Sequence, residues 1–475
     1  MHNHIVKSAI FSCLAVFLLS LTLLQGPCAE GQTAPQAAAP TASSFQGSVV
    51  KGNVSADSIG LSFDDAIQRG LTANLGIILS GNETSAARGE RLSQLQSLLP
   101  EVDFAARETV SQVDLPAEGL RLPNFPTIIG PFGYTDVRAS LSWSLVDLSS
   151  LRNYLAARHN FRAAELSAQD ARDLVVLTVG NAYLLVLADE ELVESAQAQV
   201  ATSQVSLDQA IANHEAGTAP KLDELRARVD YQQQQQLLIV AQTQLEKDKL
   251  ALARTIGLPL EQKFTLTDKA PYAVFDQVDV NALIAQAQAN RKDLAALVEQ
   301  AAAAAEQRKA ATGERLPTLK ANADYGDIGT TLAHSHGTVD ATGAVSFPLF
   351  KEFGLRGDAQ QAQAQLDTVE AQLSDKKAQV DADVRDALLD IEAAQKLVEV
   401  ARSSVDLANE ELREAQERYA NGVNDNLAVS RAQQSVAQAN LQYVASLYRH
   451  NVAKLSLARA LGAGENYRNY VKQTQ

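Results

Sequence analysis

The sequence is poor in aromatic residues, which make up 5% of it, and it holds one Trp and one Met. Its two cysteines, Cys13 and Cys28, lie near the N-terminus, so the body of the chain has neither a disulfide framework nor a Cys-based zinc site. Basic residues are outnumbered 41 to 56, and a net charge of −15 counts against nucleic acid as a partner, because neutralising phosphates needs basic clusters. There is no P-loop, no strand-linked glycine fingerprint and no Gly-x-Ser-x-Gly elbow. Beyond His2 and His4, the histidines cluster only at His334 and His336, with no third ligand nearby, which fits a polar loop better than a metal site. Neither an enzyme activity nor a cofactor is expected.

Alanine and glutamine are abundant. The chain of 475 residues is 46% hydrophobic, largely through Ala, and its size would allow about three ordinary domains. So few aromatics do not build three ordinary cores, and long packed helices fit the composition better. The one long apolar run is Ala9 to Leu24, preceded by Lys7 and followed by small residues up to Ala29. It is shorter than the ~20 residues of a spanning helix and reads as a signal peptide over 1–29, with Cys28 as an alternative lipidation site. Residues 30–57 read as a flexible Gln/Ala/Pro/Ser/Thr leader.

An internal repeat organises the rest. Leu316-Pro317 stands 217 residues after Leu99-Pro100, and Ser346-Phe347-Pro348-Leu349 stands 204 after Ser142-Trp143-Ser144-Leu145. Gly422, Leu427 and Arg431-Ala432 follow Gly217, Leu222 and Arg226-Ala227 at 205, as Gly462 follows Gly257. The change in offset marks a longer loop in the first copy, rich in proline. The expected units are 58–270 and 271–466, with a tail over 467–475. Each unit reads helix, two strands, long helix, tight turn and returning helix.

The strands alternate with period two near 101–112, 134–147, 317–328 and 338–350: Val137, Ala139, Leu141, Trp143 and Leu145 against Asp136, Arg138, Ser140, Ser142 and Ser144, for example. One face suits lipid and the other a wet lumen. Four strands do not close a membrane barrel, whose smallest examples have about eight, so several chains are expected to share one. The long helices carry a heptad instead. Val380, Ala387, Ala394, Ala401, Ala408 and Ala415 run beside Val384, Ile391, Val398, Val405, Leu412 and Tyr419, and Val179 to His214 forms the matching seam. Such a period implies left-handed coiled-coil packing, with Asp189 as its one uncomfortable member. Gly217 and Gly422 mark the reversals, and Pro220 suits the first turn of a returning helix.

In the order and spacing of these features the chain resembles the TolC family of Gram-negative outer-membrane efflux proteins. The resemblance covers nearly the whole mature chain, including Tyr419-Ala420-Asn421-Gly422 at the second reversal. It implies an α+β membrane protein: a homotrimer with a twelve-stranded outer-membrane barrel, four strands per chain, continued by a periplasmic α-helical barrel. It implies a passive exit duct for small molecules, docked on a periplasmic adaptor (membrane fusion) protein and an inner-membrane RND pump or ABC transporter. An ABC-driven duct for type I protein secretion is an alternative, as is, in another class, a soluble periplasmic coiled-coil scaffold or adaptor. Family members meet their adaptors through the hairpin tips, which points to Gly217, Thr218, Ala219, Gly422, Val423 and Asn424 here. Some carry aspartate rings at the entrance. Asp223 matches in the first copy, but Ala428 and Arg431 stand at the corresponding places in the second, so Asp223, Arg226, Asp425 and Arg431 are the gating candidates.

Overall fold

The computed structural model describes residues 42–120, 126–269, 272–275, 279–421 and 426–471. The expected signal peptide, the first part of the leader and the end of the tail lie outside them. So do Gly422, Val423, Asn424 and Asp425.

The first copy runs β1 (Ile59–Leu61), α1 (Phe63–Ala73), α2 (Leu75–Gln96), β2 (Glu101–Asp114), β3 (Ile128–Val146), α3 (Leu148–Glu215) and α4 (Lys221–Ile256). The second runs β4 (Phe264–Leu266), α5 (Val280–Asn290), α6 (Lys292–Gly313), β5 (Thr318–Gly329), β6 (Ser335–Ser346), α7 (Glu352–Ala420) and α8 (Asn426–Ala460), before a short α9 (Arg468–Val471). At ~1.5 Å per residue, the 68 residues of α3 and 69 of α7 each extend roughly 100 Å.

Where the sequence suggests one helix before each strand pair, the structure has two. The breaks fall at Asn74 and Arg291, which are equivalent in the repeat and share an extended backbone, with ψ of 134° and 122°. Asn74 caps α2 by accepting from the Gly76 N–H at 2.9 Å and donates to the Phe45 carbonyl at 2.7 Å. Phe45 is therefore buried, and the segment from Ala42 is tied down rather than a free leader: the Val49 N–H reaches the Ala73 carbonyl at 2.9 Å. The tail also begins packed. The Tyr467 ring meets Phe63 edge-on, and its hydroxyl donates to Asp64 at 2.6 Å. A further element without a period-two signature is the parallel pair of β1 and β4.

The heptad seams are buried as their spacing requires. Val380, Val384, Ala387, Ile391, Ala394, Val398 and Ala401 form the hidden stripe of α7. Helix α3 is buried more widely, between Val175 and Leu187, because α1, α4 and α8 pack around that stretch. It contains a window apolar enough to cross a membrane, yet more than half of that window is core. The main sheet has the order β2-β3-β5-β6, all antiparallel, so the two copies join along β3 and β5.

Candidate functional site

The sheet is a single layer. Val102, Phe104, Val110, Tyr325, Val339 and Val345 share one face through the strand register, and all are exposed. The opposite face carries Asp103, Ser140, Asp324 and Asp340 in one row across the four strands. There Arg138 pairs with Asp136 at 3.3 Å and with Asp324, and it donates to the Thr338 hydroxyl at 3.4 Å. Among the described residues nothing covers either face, and one apolar and one charged face is the pattern of strands that stand between lipid and an aqueous lumen.

At the other end of α3 and α4 the chain reverses over Ala216–Pro220. Gly217 takes φ +71°, a left-handed conformation that L side chains avoid. The Thr218 and Ala219 N–H groups both donate to the Asn213 carbonyl, at 2.9 and 3.2 Å, which closes the end of α3. Beyond Pro220, α4 inverts the usual arrangement. It buries Asp223, Glu224, Ala227 and Asp230 and exposes Leu222, Leu225 and Val229. Lys221 and Arg228 pair with Glu224, and the hydrogen bond from Lys221 draws its carboxyl below the ordinary range. Burial pushes Asp230 up, against a bond from Gln234.

The structure brings Asp223 and Arg226 together at 3.7 Å. Arg226 lines a groove of about 360 Å³ between α4 and α8, with Leu222, Leu225, Val229 and Leu427. Arg431 is on another side of α8, in a groove of about 670 Å³ with Ala408 and Glu411 of α7. The first copy's candidates thus form one cluster and Arg431 stands apart from it. Asp425, which would complete the set, lies outside the described residues.

Two charged features go beyond the sequence reading, which marked Asp189 but neither its partners nor the second cluster. Burial pushes Asp189 of α3 up to about 7, helped by the Asp248 carboxyl of α4 within hydrogen-bonding reach, and Tyr448 of α8 faces both. Farther up, buried Arg291 binds Asp293 at 2.7 Å and Asp383 at 2.5 Å, Lys376 binds Asp293 at 2.8 Å, and Arg459 binds Asp170 at 2.7 Å. Burial works against ionised Asp293, but Arg291 and Lys376 hold it well below the usual carboxylate range. This network joins α3, α6, α7 and α8. Its members are scattered over almost 300 residues, so no local motif announces it. Among the described residues, no group of three or more His, Cys, Asp or Glu is arranged to hold a metal ion.

An uncovered amphipathic sheet continued by two long helical hairpins defines an outer-membrane channel protein. A family model for the outer membrane efflux protein matches residues 83–258 and again 283–463, and the chain belongs to that family. It is similar to the pyoverdine export outer membrane protein OpmQ of Pseudomonas putida, 25% identical over 300 residues, which span 59% of this chain and 62% of that protein. In fold it is similar to the outer membrane protein VceC of Vibrio cholerae, with a TM-score of 0.74 at 20% identity over 84% of this chain and 96% of that one. The CmeC outer membrane channel of Campylobacter jejuni gives 0.75 at 16% identity over 90% and 95%. The protein is therefore located in the outer membrane, which displaces the soluble periplasmic scaffold, and its relatives are channels rather than enzymes.

Proposed function

We propose that the chain is the passive exit duct of a tripartite efflux system, carrying small molecules from a periplasmic adaptor and an inner-membrane pump to the exterior. The carrying observation is the four-stranded sheet with nothing among the described residues packed on either face. Four strands fall short of the roughly eight that close the smallest membrane barrel, so three copies sharing twelve strands satisfy both the lipid face and the edges. Pyoverdine, the export substrate named for the relative in Pseudomonas putida, is a small molecule and supports a cargo of that kind. Inactivating the gene should raise retention of a fluorescent amphiphilic dye, with polypeptide secretion unchanged. Unchanged dye retention with a lost secreted polypeptide would instead make this an ABC-fed protein exporter.

The tips are the adaptor contacts in this reading. Leu222, Leu225 and Val229 recur at i, i+3 and i+7, the spacing with which a helix enters a partner's groove, and they flank Gly217, Thr218 and Ala219. Opening of the entrance separates the contacts around Asp223, Arg226 and Arg431. In planar bilayers, Asp223→Asn and Arg431→Gln should raise single-channel conductance; wild-type conductance and voltage response in both would remove them from the gate.

A further inference from the structure

Helix α3 carries a second row beside its heptad seam. Leu184, Ala188, Glu191, Ser195, Ala198 and Thr202 recur at alternating spacings of four and three, and they face α8 across a pocket of about 630 Å³. Val405 and Leu412 of α7 complete its apolar wall, and Lys269 reaches it from the segment after β4. The volume is that of a small-molecule site. The side chains explain it, because Ala188, Ser195 and Ala198 are too short to fill the space between packed helices. The internal repeat shows the same row in another form. At the offset of 205, Ser195 and Thr202 become Val400 and Leu407, and Glu191 becomes Lys396. The row in the first copy is therefore emptier than its equivalent and opposite to it in charge at that position.

We propose that this pocket binds an organic cation with an apolar body, which touches both hairpins of one chain. The charge of the lining is complementary to such a ligand. Glu191 and Glu194 lie one turn apart on α3, both exposed, and Lys269 is the one cation among the described lining residues. Among the described residues neither carboxylate has an ion-pair partner. Tyr443 and Tyr448 add aromatic rings, whose faces attract cations. At the end nearer the reversal, buried Gln433 donates its amide to the Ser206 hydroxyl at 3.0 Å. Its carbonyl oxygen has no partner among the described residues, which an N–H or O–H of the ligand would satisfy. The site depends neither on the duct nor on the number of copies.

The test uses the full chain in lipid nanodiscs and the fluorescence anisotropy of tetramethylrhodamine ethyl ester, a cationic xanthene dye, with fluorescein as the anionic xanthene control. The cationic dye should bind saturably, above the level of empty nanodiscs, and fluorescein should not. Two variants fill the pocket. Ser195→Val with Thr202→Leu installs the residues of the second copy, and Ala198→Trp places a large ring from an exposed position of α3. Each should weaken binding by at least an order of magnitude, and Glu191→Gln with Glu194→Gln should weaken it several-fold. Absence of saturable binding to the wild type, or wild-type affinity in both filling variants, overturns the site. Fluorescein bound as tightly as the cationic dye, or unchanged affinity after loss of both carboxylates, overturns the cation as its ligand. The dye-retention test of the duct is separate and is untouched by any of these results.

Discussion

Asp189 is buried at a position where the heptad of α3 calls for a small or apolar side chain. Burial favours its protonated form, and the neighbouring Asp248 carboxyl adds to that preference. An unfolded Asp titrates near 3.9, and here burial raises the folded value to about 7. Between those values the folded state holds the proton that the unfolded state has released. The stabilisation is complete below about 4 and is lost as the pH rises through 7. Asp189→Asn, which is neutral at every pH, should raise the unfolding midpoint at pH 8 by a few degrees, and the gain should vanish by pH 4. An equal gain at both values would mean that the proton is not the cause. The sequence exposes Asp189 as an interruption of the heptad but not Asp248, which meets it only because the hairpin brings α4 back along α3.

The elements owe their legibility to their periods. The strands and coiled-coil seams follow from alternation and heptads, because a face repeating over ten or more residues leaves its pattern in the chain. The breaks before α2 and α6 leave no such trace. Asn74 is a familiar capping residue, but Arg291 makes no side-chain cap, and its break is held by Asp293, Asp383 and a helix end from the far side of the chain. That helix end carries Gly462 at φ +65°, where an added Cβ would lie 2.8 Å from the backbone nitrogen of Arg291. Gly462→Ala should therefore cost about 1–3 kcal/mol of backbone strain and a clash in addition. Gly217→Ala has φ +71° but nothing within 4 Å, so it should cost the strain alone, about 1–2 kcal/mol. Denaturation in detergent distinguishes the two, and equal losses would contradict the tight docking of Gly462 against the break.

At the scale of the molecule, the sheet has no core of its own. In the proposed assembly its apolar face is satisfied by lipid, its charged face by water, and its edges by strands of further copies. The helical part is self-sufficient near β1, β4 and the segments around Phe45 and Tyr467, where those two residues join Phe63 and Tyr183 in one cluster. Those two segments carry no periodic signal, and their order comes from tertiary contacts that composition does not reveal. Lower down, the two hairpins bury only narrow clusters of alanine with a few larger apolar side chains, such as Ala210 and Ala227 with Leu207 in one and Ala415 and Ala432 with Val429 in the other. Assembly of three copies is thus the claim on which the duct and the entrance depend. Its most direct test is the protein mass of the membrane-extracted chain by light scattering, with the detergent contribution subtracted. The mass of three chains is the predicted result. A monomer that stays soluble without detergent would show that four strands suffice on their own, and it would contradict the account.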